Sequence, residues 1–396
     1  MMRAMLQRMS KSQFRRAFRP ESAVDIAQAA IICVASAWLL TACSGGNKRP
    51  QPAELGSNTA LIGVKQAWTN RIGQLPPDTM PAVAAGSIFV AGADGSLAAL
   101  DARTGADQWR LSLGTALSTG AGSDGKFTAV VSRVNEVITV DGSKELWRAK
   151  LSAQAYTAPF VAGGRVFVLA ADRSVSAFDA ATGAKLWTQQ RPGEPLLLKQ
   201  PGSMLAVGDT LVVGQSGRLV GLNPNNGSIR WDAPIASPRG TNDVERLVDM
   251  VGRTSRVGDV VCARAFQAAV GCVNAARGNL LWTKPANGAQ GLHGDDRLVI
   301  GTESDGKVVA WKRADGERAW STERLQFRNL SAPLVVGRSV VVGDSTGLVH
   351  LLSREDGSPL TRLNTDSSGV SGGPVLVGDT LVVVTRGGGI YGFAPE

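Results

Sequence analysis

Residues 164–187 read GRVFVLAADRSVSAFDAATGAKLW. The run RVFVLA is followed by the turn Ala171-Asp172-Arg173, and then by SVSAFD. Next, Ala180-Ala181-Thr182-Gly183 turns the chain into a last short run that ends on Trp187. Period-two alternation with β-branched residues marks strands, and Asp- and Gly-rich pairs mark the turns between them. A short strand signal carrying Pro stands upstream, as at Thr157-Ala158-Pro159 and again at Ser331-Ala332-Pro333. One unit is therefore four short antiparallel strands, A to D in chain order, with Trp on D.

The unit recurs. Trp68, Trp109, Trp147, Trp187, Trp231, Trp282 and Trp320 follow one another at steps of 41, 38, 40, 44, 51 and 38 residues, and a further step of 41 lands on Thr361. Gly105, Gly183, Gly227, Gly278 and Gly316 each stand four residues before a Trp, and Gly142 stands five before Trp147. An Asp or Asn lies four before the Gly at Asp101, Asp179, Asn223 and Asn274. Four short strands at a forty-residue period describe a β-propeller blade. The Trp is expected to pack between neighbouring blades, with the Gly supplying a tight turn.

Closure fixes the count. The last unit, residues 371–394, has signals for strands A, B and C and then ends, whereas the segment Val64–Ile72 holds Trp68 with no strands before it. An open ring leaves unpaired edges. Adding the N-terminal strand as D of the last unit satisfies both ends. The expected fold is all-β, an eight-bladed propeller of four antiparallel strands per blade, spanning residues 59–396.

The start of the chain is of another kind. Residues 29–40, AAIICVASAWLL, form an apolar run of twelve behind a basic segment, too short to span a bilayer and suited to a signal-peptide core. It ends in Leu40-Thr41-Ala42-Cys43, which resembles the bacterial lipobox. That resemblance implies cleavage of a signal peptide 1–42 and lipidation of Cys43, and Ser44 implies an outer-membrane address. Residues 43–58 read as a flexible tether of Gly, Pro and polar residues.

The chain carries a formal charge of +9, of which residues 1–42, with six basic residues and two acidic ones, supply +4. The remaining charges of both signs are scattered through loops, and no basic stripe tracks a phosphate backbone, so nucleic acid is not an expected partner.

Catalytic chemistry is sparse. The two histidines are isolated: His350 alternates with Leu348, Leu351 and Leu352 in a C strand, and His293 sits in the polar stretch GLHGDDR. No Cys/His cluster has metal-ligand spacing. Gly387-Gly388-Gly389 reads as a hairpin turn, since neither a helix nor a Lys follows it. Cys262 and Cys272 lie on the B and C strands of one unit with Gln267 at the hairpin tip between them. In an oxidising periplasm they fit either a disulfide or two buried thiols.

Two connections are longer than the rest, residues 188–203 after Trp187 and 232–253 after Trp231. Both lead from D to the next A on consecutive blades, so both emerge on one face. Leu196, Leu197 and Leu198, flanked by Pro, stand beside Lys199, Arg239, Asp243, Glu245, Arg246 and Asp249. Apolar anchors rimmed by mixed charge read as a protein-binding patch, or else as an ordinary strand.

The segment Leu100-Asp101-Ala102-Arg103-Thr104-Gly105-Ala106-Asp107-Gln108-Trp109 resembles the quinoprotein-dehydrogenase repeat. A lipobox followed by eight such units, with Thr241-Asn242-Asp243-Val244-Glu245-Arg246-Leu247-Val248-Asp249 between two of them, resembles the BamB family of outer-membrane lipoproteins. That resemblance covers residues 43–396. It implies a non-catalytic scaffold without a cofactor, lipid-anchored in the outer membrane and facing the periplasm. It implies binding to a POTRA domain of BamA, indirect association with other lipoproteins of the assembly complex, and work on nascent outer-membrane proteins. It places Leu196, Leu198 and Lys199 at the family's Leu-x-Leu-Arg contact and Asp249 at one of its two acidic contacts. Lys199 stands where the family has Arg, and Val251 where it has the second acid. A periplasmic quinoprotein dehydrogenase or a ligand-binding propeller is the alternative. Against the former, the adjacent Cys pair with which those enzymes hold their cofactor is absent from the sequence.

Overall fold

A computed structural model describes residues 50–191, 197–238, 241–242 and 247–396. The expected lipidation site Cys43 and the patch residues Leu196, Arg239, Asp243, Glu245 and Arg246 lie outside them. The described chain forms thirty-two strands in eight four-stranded sheets. Seven sheets are contiguous in sequence, within residues 82–112, 122–150, 160–189, 204–234, 250–285, 292–322 and 334–364, and these are blades 1 to 7. Blade 8 combines Val375–Val377, Thr380–Val384 and Gly389–Pro395 with Val64–Arg71 as its outermost strand.

Closure occurs as expected. Val64–Arg71 pairs antiparallel with Gly389–Pro395, and Trp68 lies opposite Gly392. A side chain at Gly392 would come within 2.1 Å of the Trp68 ring, so this position has room only for hydrogen. The innermost strands differ slightly from expectation. Pro159 and Pro333 stand just before Phe160–Ala162 and Leu334–Val336 rather than inside them, which suits a residue that cannot donate to a ladder. The B and C strands hold the core. Ser87–Ala91 and Phe127–Val131 are buried along their whole length, whereas D strands such as Lys185–Gln189 are mostly exposed.

The Gly-to-Trp spacing is resolved into contacts between blades. The turn Gly of one blade does not touch the Trp that follows it; it touches the Trp of the blade before. Trp68, Trp147, Trp187, Trp231, Trp282 and Trp320 lie against Gly105, Gly183, Gly227, Gly278, Gly316 and Gly357, where a Cβ would approach the ring within 2.4–2.8 Å. These six glycines have φ between 71° and 75°, a conformation that side chains also disfavour. Five of the indoles donate to a carbonyl of the same turn at 2.8–3.1 Å, as Trp147 Nε1 does to Ala180. The Asp four residues before the Gly shapes the turn. Oδ1 of Asp179 accepts from both the N–H and the hydroxyl of Thr182 at 2.8 Å, and these bonds hold its carboxyl below the ordinary range. Asp101 does the same with Thr104.

The missing Trp at Thr361 now has a reason. The blade that follows is blade 8, whose C and D strands come from opposite ends of the chain, so no C–D turn exists there to receive an indole. Instead the N-terminal segment lies along that edge. Leu61 N–H donates to the Leu360 carbonyl at 2.7 Å, Asn58 Nδ2 to Arg362, and Arg362 Nη2 to Gly56. The expected flexible run to residue 58 is thus shorter, since hydrogen bonds tie the chain down from Ala53 onward.

Candidate partner-binding surface

The two long connections run over residues 190–203 and 235–249, from strands ending at Gln189 and Pro234 to strands beginning at Met204 and Met250. Their described residues 197–203 and 247–249 lie side by side on one face, as their topology requires. Gly252 N–H donates to the Pro201 carbonyl at 2.8 Å, and Ser203 Oγ donates to Gly252 at 2.7 Å.

Asp249 joins them most directly. Its Oδ2 accepts the Leu198 N–H at 3.0 Å, and its Oδ1 stands 3.7 Å from Nη2 of Arg173, which comes from the B–C turn of blade 3. Asp249 is only 6% exposed. The carboxylate therefore points inward and fixes the backbone of its neighbour rather than facing solvent. Leu197 and Leu198 are half-buried, and Lys199 is exposed. Together with Tyr156, Leu169, Arg173 and Gln215, the two leucines line a cavity of about 40 Å³. Val251, where the family resemblance places a second acid, is a core residue at 2% exposure.

Arg173 was not legible as part of this surface, nor was a second clamp. Asp232 accepts from Arg191, at the start of the first connection, at 2.7 Å and from Arg218 at 2.5 Å. Burial opposes the charge on Asp232, but the two guanidinium groups hold its carboxyl below the ordinary range. The first connection is thereby tied to the D strand of blade 4. Arg191 is thus held by an ion pair and the Leu198 backbone by the Asp249 carboxylate, which leaves Leu197 and Leu198 half-buried at the surface.

The other groups considered earlier have structural places. His350 contacts Oδ2 of the buried Asp344 at 3.0 Å, and Arg328 Nε donates to the same oxygen at 2.7 Å. His293 belongs to the innermost strand Leu292–Gly294 of blade 6, not to a polar loop. Its Nδ1 accepts the Val335 N–H at 3.0 Å. Burial, with Arg253 and Arg313 nearby, lowers its pKa to about 3. Cys262 and Cys272 are directly opposite on strands B and C of blade 5, with Cα atoms 3.9 Å apart and sulfurs in bonding contact, and Gln267 sits in the turn between them. Among the described residues, no group of three or more His, Cys, Asp or Glu side chains could hold a metal ion.

A family model described as outer membrane protein assembly factor BamB matches residues 93–322. The chain is 38% identical to the outer membrane protein assembly factor BamB of Burkholderia pseudomallei over 93% of this chain and 98% of that one. It is 34% identical to the protein of the same name from Bordetella pertussis over 88% of this chain and 91% of that one. The crystal structure of BamB from Moraxella catarrhalis superposes with a TM-score of 0.77 at 21% identity, covering 84% of this chain and 99% of that one. A quinohemoprotein alcohol dehydrogenase from Comamonas testosteroni shares the fold at a TM-score of 0.66 and 15% identity, covering 85% of this chain and 77% of that one. The shared propeller does not separate assembly factors from dehydrogenases, but the sequence relationship over nearly the full length does. The chain belongs to the BamB family of outer membrane protein assembly factors.

Proposed function

We propose that this protein is a non-catalytic scaffold lipoprotein of the outer-membrane β-barrel assembly complex. It is held at the periplasmic side of the outer membrane through Cys43, and it captures a POTRA domain of BamA on the two long connections of blades 3 and 4. By holding BamA it supports folding and insertion of nascent barrel proteins and joins the other lipoproteins of the complex indirectly. The observation that carries this reading is the Leu198–Asp249–Arg173 junction. Two neighbouring loops are locked together so that Leu197 and Leu198 remain half-exposed beside the exposed Lys199. Interface energy concentrates in such apolar anchors on ordered backbone, and the charged rim adds orientation. Lys199 presents a point charge, without the bidentate fork of Arg. In the same oxidising compartment Cys262 and Cys272 form a disulfide.

The test is capture of BamA from detergent-solubilised outer membranes. Leu198→Asp puts a charge into the apolar contact and should abolish capture while circular dichroism and melting stay those of the wild type. If that variant, still folded, captures BamA normally, the surface is misassigned. Quinone absorbance in the purified protein would overturn the non-catalytic reading.

A further inference from the structure

The chain between Ala53 and Leu61 is laid along the outer edge of blade 7, antiparallel to strand Pro359–Asn364. At one end Ala53 N–H donates to the Gln326 carbonyl at 2.9 Å, and Arg328 Nη1 donates to the Ala53 carbonyl at 3.0 Å. Arg328 is itself held by the buried Asp344. Leu55 packs into the core between blades 6 and 7, and Ile62 packs into the core between blades 7 and 8. At the other end Thr59 Oγ1 donates to the Leu360 carbonyl at 3.0 Å, and Leu61 N–H donates to the same carbonyl.

Gln326 and Arg328 lie in the D–A connection from blade 6 to blade 7. That connection emerges on the same face as the two long connections of blades 3 and 4. The first propeller strand, by contrast, begins at Val64 on the opposite face, beside the chain terminus, where Glu396 N–H donates to Gly63.

We infer that Ala53–Leu61 is a strap that lies along blade 7, the one blade among the described residues whose D strand carries no Trp, and thereby carries the anchored end of the chain across to the partner-binding face. The geometric consequence is large. Ten residues separate Cys43 from Ala53, a reach of about 35 Å when fully extended. If the strap were loose, the tether would run to Val64, a reach of about 70 Å from the opposite face. The strap halves the tether and determines which face of the propeller is kept near the membrane. Membrane placement rests on the reading of Cys43 as the lipid-bearing residue, whereas the strap itself does not.

Two measurements separate these parts. Hydrogen exchange on the purified full chain should show the Ala53 and Leu61 amides exchanging at least tenfold more slowly than in Leu55→Asp, with blades 1 to 4 unchanged between the two. Arg328→Gln provides a second release should Leu55→Asp alone be too mild. Equal exchange in the wild type and both variants would overturn the strap. In liposomes carrying an acceptor dye on the lipid headgroups, a donor at Arg324→Cys, on the partner-binding face, should transfer more efficiently than one at Asp379→Cys, on the other face. Adding Leu55→Asp should remove that difference. Equal transfer from both sites in the strapped protein would overturn the assignment of the exit face. A protein that does not bind liposomes at all would instead overturn the lipid anchor and leave the exchange result standing.

Discussion

Replacing Gly183 by Ala should destabilise the propeller by about 3 kcal/mol, and the reason can be divided. Gly183 has φ 75°, which costs an L-residue about 1–2 kcal/mol. A Cβ there would stand 2.6 Å from the Trp147 ring of the preceding blade. Forcing extra volume into a packed contact costs about 1–3 kcal/mol. Gly142 provides the reference: its φ is 57°, but nothing lies within 4 Å of the position of a Cβ. Gly142→Ala should therefore show the backbone part alone, about 1 kcal/mol. The decisive comparison uses Trp147→Ala as background. Without the indole, Gly183→Ala should cost no more than Gly142→Ala, a coupling of about 2 kcal/mol between residues on different blades. Urea denaturation followed by far-ultraviolet circular dichroism measures the wild type and all four variants, since tryptophan fluorescence would itself change with the background. If Gly183→Ala costs the same with and without Trp147, the inter-blade contact does not constrain the glycine and the reasoning fails.

Three further outcomes follow from the structure. Asp249→Ala should weaken BamA capture more than Lys199→Ala, although Asp249 is buried and Lys199 exposed, because Asp249 holds the Leu198 backbone; a larger effect at Lys199, measured by pull-down, would contradict this. Cys262→Ser with Cys272→Ser should lower stability by about 2–3 kcal/mol from the loss of a short closed loop, and non-reducing peptide mapping of the wild type should yield the cross-linked pair and no free thiol. His293, with a pKa of about 3 in the fold, stays neutral where the unfolded chain takes up a proton near pH 6.5; its contribution is present above that value and is lost as pH falls toward 3, by about 1.4 kcal/mol per pH unit. In His293→Gln that part of the slope should vanish from melting curves recorded between pH 6 and 4.

The order of blades, the shared last blade and the facing cysteines were legible because each rests on local periodicity. Strand alternation, turn residues and the forty-residue step are properties of neighbours in sequence. The face and adjacency of the two long connections were legible for the same reason, since topology alone dictates where D–A links emerge. His293 was misread as a loop residue because the innermost strand of its blade is only three residues long and too brief to show alternation.

The sequence by itself determined that this chain closes into eight blades, since the repeat and its two incomplete ends admit no other pairing. Tertiary structure alone decided what the Gly and the Trp do for one another. In sequence they stand four apart, but in space each belongs to a different neighbour, because the turn of one blade reaches the D strand of the blade before it. The same holds for Asp249 and for Ala53–Leu61. Whether a carboxylate turns inward to a backbone N–H 51 residues away, and whether a Gly- and Pro-flanked segment hangs free or lies along a strand edge some 300 residues later, depends on which partners the closed ring brings within hydrogen-bond distance. No local pattern encodes those distances.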